Sequence, residues 1–155
     1  STLLRLIAGL LPAFAGTIER SGALALADDR LALDADETLR QALAFWARID
    51  RAPPAAIDAA IGTMALTPLS DVPVRMLSTG QRKRAGIARV IASGAPIWLL
   101  DEPANGLDTA SIDLLGAAAG AHLAGGGLIL AASHQPLPLE HHARIDLRAF
   151  RPESA

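Results

Sequence analysis

Residues 77–108 read LSTGQRKRAGIARVIASGAPIWLLDEPANGLD, and this stretch decides the fold. Its first part predicts a helix, because Ser78 followed by Gln81 three residues later is the pattern of a capping box. The glycine at 94 predicts the end of that helix. The apolar run at 97–100 follows Gly-Ala-Pro and is typical of a short strand buried on both faces. The stretch therefore predicts a helix and then a buried strand, followed by a turn.

Two carboxylates, Asp101 and Glu102, come directly after this predicted strand. Open α/β sheets bind their ligands in the crevice where the strands end. One carboxylate there can hold a hydrated Mg²⁺, and its neighbour can orient or deprotonate a water. The N-terminus of the predicted helix, with free N–H groups beside Ser78 and Gly80, is suited to an anion. The residues themselves thus indicate a candidate metal site and a candidate anion site.

The order of these features resembles the ABC-type ATPase family, over nearly the whole chain. LSTGQ at 77–81 looks like the family's signature motif, usually written LSGGQ. Residues 97–101 resemble its Walker B strand, and Glu102 matches its catalytic glutamate. Residues 105–108 resemble the D-loop, and the Ser-His pair ending at His134 resembles the switch histidine. The resemblance implies an α/β fold of the P-loop NTPase type, with a mainly parallel sheet flanked by helices.

The resemblance also assigns roles around one bound ATP. Asp101 would hold Mg²⁺ through water, Glu102 would polarise the attacking water, and His134 would bond to the γ-phosphate. Ser1 and Thr2 match the last two positions of the phosphate loop, G-x-x-G-x-G-K-[ST]-T. Ser1 would then be a Mg²⁺ ligand and Thr2 a phosphate contact. Without the resemblance, Ser1 would simply be the N-cap of a helix.

The glycines and the lysine of that phosphate loop are not in the sequence. The lysine neutralises phosphate charge and the loop's N–H groups cradle the phosphates. We therefore expect this chain to be a fragment of a longer protein, and we expect it to bind ATP poorly or not at all by itself.

A second set of residues would act on the ATP of a partner subunit, since the family encloses two ATP molecules between two subunits. Ser78, Gly80 and Gln81 would close over the partner's ATP. Asp108 would lie in the loop that crosses the dimer interface, and it also has the sequence position of an N-cap. The resemblance thus implies that no single chain completes a site.

The remaining sequence predicts elements around this centre. The chain starts with an apolar helix pattern that Pro12 ends. Short strands are predicted at 16–20 and 23–26, a helix at 109–123, and strands at 128–132 (buried) and 143–150. Helices at 36–49 and 57–66, split by two prolines, match the family's small helical subdomain, at about 36–76. The basic triplet, residues 82–84, is interpreted as a solvated helix face.

The loop after the second predicted strand lacks the glutamine that the family carries there. Asp29 or Arg30 stands at roughly its position. An aspartate could bind Mg²⁺ through water, an arginine could not, and an ordinary solvated turn is an equally good interpretation. His141 and His142 are interpreted as surface residues, because adjacent side chains diverge and no second ligand pair is evident.

Composition limits the class of protein. The chain has 155 residues, 51% of them apolar, and no cysteine. Disulfides and thiolate metal sites are therefore excluded. A net charge of −2 offers no electrostatic argument for binding nucleic acid. The apolar stretch 114–132 is better explained by a helix, a glycine turn and a strand than by a membrane span.

Within the family, the short chain and its Ser-His-Gln-Pro-Leu segment at 133–137 resemble ATP-binding subunits of haem exporters in cytochrome c biogenesis. This implies a second ATPase subunit and integral membrane subunits as partners, at the cytoplasmic face of the inner membrane. Two alternatives stay open: an ABC ATPase that does not act in transport, and a non-catalytic regulatory subunit.

Overall fold

The computed structural model describes residues 2–139 and 142–150. Within them the helices are α1 (Thr2–Ile7), α2 (Leu39–Asp50), α3 (Pro54–Thr63), α4 (Thr79–Ala92) and α5 (Thr109–Ala124). The strands are β1 (Leu24–Ala27), β2 (Ile97–Asp101) and β3 (Leu128–Ala132). Short 3-10 turns lie at Thr67–Leu69, Val74–Met76 and Leu147–Phe150. The fold is α/β, as the sequence predicts.

The three strands form one parallel sheet in the order β1-β2-β3. The register places Ala27 opposite Leu100 and Asp101 opposite Ala132. All three strands therefore end at the same edge of the sheet, which we call the carboxyl edge. Polar residues that follow β1, β2 and β3 are brought together there, where open α/β sheets bind ligands.

Burial differs between the central strand and its neighbour. In β2, Trp98, Leu99 and Leu100 are at most 4% exposed, so the expected buried strand is confirmed. The expectation that β3 is also buried is wrong: Leu128 is exposed and the rest of β3 is half-buried. The difference follows from the strand order, since β3 is flanked by a strand on one side only.

Side-chain caps start α2, α4 and α5, whereas α3 starts at a proline without one. Ser78 accepts a hydrogen bond from the Gln81 backbone N–H, and the Gln81 side chain accepts one from the Ser78 N–H. The same capping box is built at the start of α2 by Thr38 and Gln41. For α3 the start is Pro54, whose fixed φ suits a first helical position. The predicted break between α2 and α3 at the proline pair is therefore confirmed.

The hydrophobic core joins α2 and α3 to α4 and to the sheet. Its fully buried members include Leu39 and Leu43 of α2, Ile61 of α3 and Ile87 of α4. This packing holds the middle of α4 through its buried residues, such as Ile87 and Ala88. The division of the chain into a main domain and a helical subdomain stays a prediction.

Two predicted strands are wrong. Gly16 lies in a bend with φ +81°, and residues 16–20 pair with no strand in the described part of the chain. Residues 143–150 end instead in a 3-10 turn, because the Asp146 carboxylate accepts the Arg148 backbone N–H and also pairs with its guanidinium. Local side-chain bonds to the backbone compete with strand formation in this way.

The apolar stretch at 114–132 is a helix, a glycine turn and a strand, as predicted. α5 ends at Ala124, Gly126 adopts φ +85°, and β3 starts at Leu128. Throughout residues 2–139 and 142–150, no helix combines the length and the apolar character needed to cross a membrane.

Candidate functional site

Glu102 and His134 meet at the carboxyl edge of the sheet. Glu102 follows β2 and His134 lies two residues after β3, so the parallel register brings them side by side. The Glu102 carboxylate accepts the backbone N–H of His134, at 3.2 and 3.3 Å from its two oxygens. The His134 Nε2 atom lies 3.5 Å from Glu102 Oε1. The His134 side chain is otherwise exposed, so it is free to contact a ligand above the sheet.

The backbone of Glu102 is unusual. Its φ is +47°, in the left-handed region that residues with a side chain rarely adopt. The conformation is held from both sides, because the Glu102 N–H donates to Ala132 at 2.8 Å and its carbonyl accepts from Asn105 at 3.1 Å. Strained conformations of this kind concentrate at functional sites. The turn directs the chain out of the sheet immediately after Asp101.

Asp101 is the last residue of β2 and is only 5% exposed. Its backbone carbonyl accepts a hydrogen bond from the Nζ atom of Lys83, at 3.2 Å. Lys83 itself is half-buried, and this burial lowers the pKa of its ammonium group. The carboxylates of Asp101, Glu102, Asp29 and Asp28 act on that pKa in the opposite direction. Lys83 therefore places a cation of α4 among the acidic residues of the carboxyl edge.

The donor chemistry of this edge suits Mg²⁺ bound together with a phosphate. Asp101 and Glu102 provide carboxylate oxygens on adjacent residues. In the described part of the chain, no group of three or more His, Cys, Asp or Glu residues is arranged to hold a metal alone. Mg²⁺ is commonly held by one or two carboxylates, with substrate phosphates and water completing its shell. The residues present therefore fit that ion, and they do not form a self-sufficient metal cage.

A second group of candidate residues surrounds the N-terminus of α4. Ser78 is exposed, and Gly80 and Gln81 are half-buried in the first turn. A side chain at Gly80 would begin 3.4 Å from the carbonyl oxygen of Gly106. The first turn of α4 thus lies against the turn at 105–108. Free N–H groups and the positive end of the helix dipole make this end of α4 attractive to an anion.

Asp108 caps α5, as its sequence position predicts. Its carboxylate accepts the backbone N–H of Ser111 at 2.8 Å. Hydrogen bonds from Ser111 lower the pKa of the Asp108 carboxyl below its ordinary value. The Asp108 side chain is therefore held as an anion at the start of α5.

The loop after β1 is tied to α1. The Arg5 guanidinium bonds to Asp28 at 3.1 Å and to Asp29 at 2.7 Å. Asp28 also accepts the backbone N–H of Arg30. Thr2 begins α1 one turn before Arg5, and Ser1 lies outside the described residues. His142 is exposed, as expected, whereas His141 also lies outside the described residues. Whether Asp29 or Arg30 takes the position of the family's glutamine stays open.

The interpretation of residues 82–84 as a solvated face holds for Arg82, which is exposed, and is wrong for Lys83 and Arg84. Arg82 donates to the Arg75 carbonyl, Lys83 to Asp101, and Arg84 to Met64 at 2.8 Å and Ala65 at 3.2 Å. Lys83 and Arg84 are both half-buried. Helical spacing contained the signal, because Lys83 shares a helix face with the fully buried Ile87, four residues later.

Comparison with known proteins identifies the family of this chain. A family model described as ABC transporter matches residues 1–105. A "Cytochrome c biogenesis ATP-binding export protein CcmA" of Novosphingobium aromaticivorans is 57% identical over 152 residues, which are 98% of this chain and 77% of that protein. Proteins of the same name from Sphingopyxis alaskensis and Zymomonas mobilis are 57% and 51% identical. These matches cover 90% and 97% of this chain, and 72% and 67% of the relatives.

Solved structures agree at the level of the fold. A metal-chelate type ABC transporter in an inward-facing conformation superposes with a TM-score of 0.72, at 24% identity, over 86% of this chain and 58% of that chain. A structure described as RNase-L Inhibitor gives a TM-score of 0.71 at 23% identity, over 86% of this chain and 26% of that chain. With a family model matching residues 1–105 and close relatives along nearly its whole length, the chain belongs to the ABC transporter family of ATP-binding proteins.

Proposed function

We propose that this chain is part of the ATP-hydrolysing subunit of the haem exporter used in cytochrome c biogenesis. The observation that carries the proposal is the 57% identity, over 98% of the chain, to a protein named as an ATP-binding export protein of that process. The proposed partners are a second ATPase subunit and integral membrane subunits. The proposed location is the cytoplasmic face of the inner membrane, on which the subunit lies peripherally.

The carboxyl edge is proposed to perform the hydrolysis. Mg²⁺, when bound, would neutralise charge on the phosphates, and Asp101 would help to hold it. Glu102 would orient the attacking water and take its proton. His134 would donate a hydrogen bond to the γ-phosphate from an exposed side chain beside Glu102. The 3.5 Å between the Glu102 and His134 side chains supports a shared target for the two residues.

The N-terminus of α4 is proposed to act on the ATP of the partner subunit. Ser78, Gly80 and Gln81 would surround the γ-phosphate at the positive end of the helix. The Gly80 N–H would be the backbone donor among them, since the N–H groups of Ser78 and Gln81 are bonded within the capping box. Asp108 would belong to the same interface. The contact between Gly80 and the Gly106 carbonyl supports this arrangement, because it places both turns on one surface.

Ser1 and Thr2 are proposed as the Mg²⁺ ligand and the phosphate contact that follow the loop's lysine. We further propose that residues 1–155 alone hydrolyse ATP poorly, because the only lysine in the sequence is Lys83 and that side chain is already bonded to Asp101.

The test is ATP turnover by the natural full-length product, expressed from its own start codon together with its membrane partners. Replacing Glu102→Gln removes the proton acceptor while keeping the size and the polar contacts of the side chain. We expect turnover to fall by about 10²–10⁴-fold, while binding of ATP is retained. In cells that lack the natural gene, the same variant should fail to restore covalent haem in c-type cytochromes.

A matched control is Glu37→Gln, which makes the same chemical change at an exposed position outside the carboxyl edge. This variant should hydrolyse ATP like the unchanged protein. Full turnover by the Glu102→Gln protein would refute the catalytic role. ATP turnover without any effect on cytochrome c maturation would refute the exporter assignment and leave an ABC ATPase of another pathway.

A further inference from the structure

Lys83 connects helix α4 to the end of the central strand β2. It lies in the second turn of α4, and its Nζ atom donates to the Asp101 carbonyl oxygen at 3.2 Å. The side chain is half-buried on the helix face that also carries Ile87. A flexible, strongly hydrated ammonium is costly to bury, so its place here is compensated by specific partners.

Those partners are acidic and come from two loops. Asp101 and Glu102 follow β2, while Asp28 and Asp29 follow β1, and all four carboxylates attract the Lys83 ammonium. The two aspartates after β1, Asp28 and Asp29, also bond to the guanidinium of Arg5. Lys83 is therefore the cation that the helix α4 contributes to this edge. It contacts the main chain at the point where Asp101 and Glu102 diverge.

The position of this contact has a mechanical consequence. Glu102 adopts its left-handed φ of +47° immediately after the carbonyl that Lys83 holds. Rotation of that carbonyl changes ψ of Asp101 and φ of Glu102, and these two angles set the direction of one carboxylate relative to the other. The N-terminus of the same helix carries Ser78 and Gly80. The Lys83 side chain thus links two parts of the proposed site. One is α4, proposed to act on the partner's ATP, and the other is the pair Asp101 and Glu102, proposed to act on the chain's own ATP.

We propose that Lys83 is a positioning residue for ATP hydrolysis, which fixes the backbone at Asp101 and thereby orients Asp101 toward Mg²⁺ and Glu102 toward water. This inference rests on the proposed function. Lys83 acts through the Asp101 main chain and does not touch the phosphates. Groups that orient metal ligands from behind commonly contribute 10-fold to 100-fold to metal affinity or activity, by rough estimate.

The experiment compares Lys83→Met and Lys83→Arg in the natural full-length product with its membrane partners. In Lys83→Met we expect kcat to fall about tenfold and the Mg²⁺ concentration for half-maximal activity to rise by a similar factor. The KM for ATP should change by less than about twofold, because Lys83 is not a phosphate contact. Lys83→Arg keeps a donor and a charge, and should recover most of kcat.

A second measurement needs neither nucleotide nor metal. The backbone N–H of Glu102 donates to Ala132, and that of His134 donates to the Glu102 carboxylate. Amide hydrogen exchange in the nucleotide-free protein should therefore become faster at Glu102 and His134 in Lys83→Met. The matched control is Ile61→Val, which removes one methylene group from a fully buried core residue of α3 and lowers stability modestly. It should leave exchange at these two amides unchanged relative to the rest of the sheet.

Three outcomes decide the proposal. A Lys83→Met protein with unchanged kcat and Mg²⁺ requirement overturns it. So does a loss of activity matched by Ile61→Val at equal stability, because the role would then be structural. If the protein without any substitution does not hydrolyse ATP, the proposed function is refuted instead. In that case, amide exchange at Glu102 and His134 still tests the backbone role of Lys83 separately.

Discussion

Glu102 combines a reactive side chain with an unfavourable backbone. A left-handed conformation costs an L residue roughly 1–2 kcal/mol, and here φ is +47°. The hydrogen bonds to Ala132 and from Asn105 hold the residue in this state. The sequence predicts the carboxylate at the strand end, because the apolar run at 97–100 is followed directly by Asp101 and Glu102. It does not predict the strain, since nothing in the local pattern DEP requires a positive φ.

This strain predicts an unusual order of stability. At most positions glycine is less stable than alanine, but at Glu102 we expect Glu102→Gly to be more stable than Glu102→Ala by about 1 kcal/mol. Urea unfolding of the two variants measures the difference. Ala65, which is exposed and has φ +50°, provides a comparison outside the carboxyl edge. Ala65→Gly should also stabilise the protein while leaving ATP turnover intact. Equal or reversed stability of the Glu102 variants would mean that the backbone is not strained there.

Among the elements, helix caps were the most predictable feature and edge strands the least. Ser78 with Gln81 and Asp108 before α5 are local patterns, and both form as the sequence indicates. The strands expected at 16–20 and 143–150 depend on neighbours that a local pattern cannot reveal, and neither forms. The basic triplet failed for a related reason, because which helix face is covered depends on α3 and on the end of β2.

Two matched capping boxes allow the structural and the functional role of a cap to be separated. Thr38 and Ser78 make the same reciprocal bonds at the starts of α2 and α4. Thr38→Ala and Ser78→Ala should each lower the free energy of unfolding by about 1 kcal/mol. Only Ser78→Ala should also reduce ATP turnover, by about tenfold, since a hydrogen bond to a charged group contributes roughly 1.5–3 kcal/mol. Both effects are measured on the same preparations, by urea unfolding and by phosphate release. Equal turnover in the two variants would confine Ser78 to a structural role.

At the scale of the whole molecule, the proposed function assigns two surfaces of the chain to different nucleotides. The carboxyl edge presents Glu102 and His134, while the N-terminus of α4 and the adjacent turn present Ser78 and Gly106. Closed two-fold symmetry would bring each surface against the other kind on a second copy. Sequence and resemblance suffice to name both sets of residues. The bond from Lys83 of α4 to the end of β2, which connects the two sets, is visible only in the packing of the structure.

This separation predicts complementation between two inactive variants. Ser78→Arg blocks the α4 surface and Glu102→Gln disables the carboxyl edge, so each homodimer should be inactive. In a mixed dimer, the intact carboxyl edge of the Ser78→Arg chain meets the intact α4 surface of the Glu102→Gln chain, and one complete site is restored. Co-expression at equal levels should then recover about a quarter of the ATP turnover of the protein without substitutions. The reason is that half of the dimers are mixed and each mixed dimer has one working site of two. Two differently tagged chains, purified through both tags, isolate the mixed dimer and should double that value. If both surfaces served the same nucleotide within one chain, every combination would stay inactive.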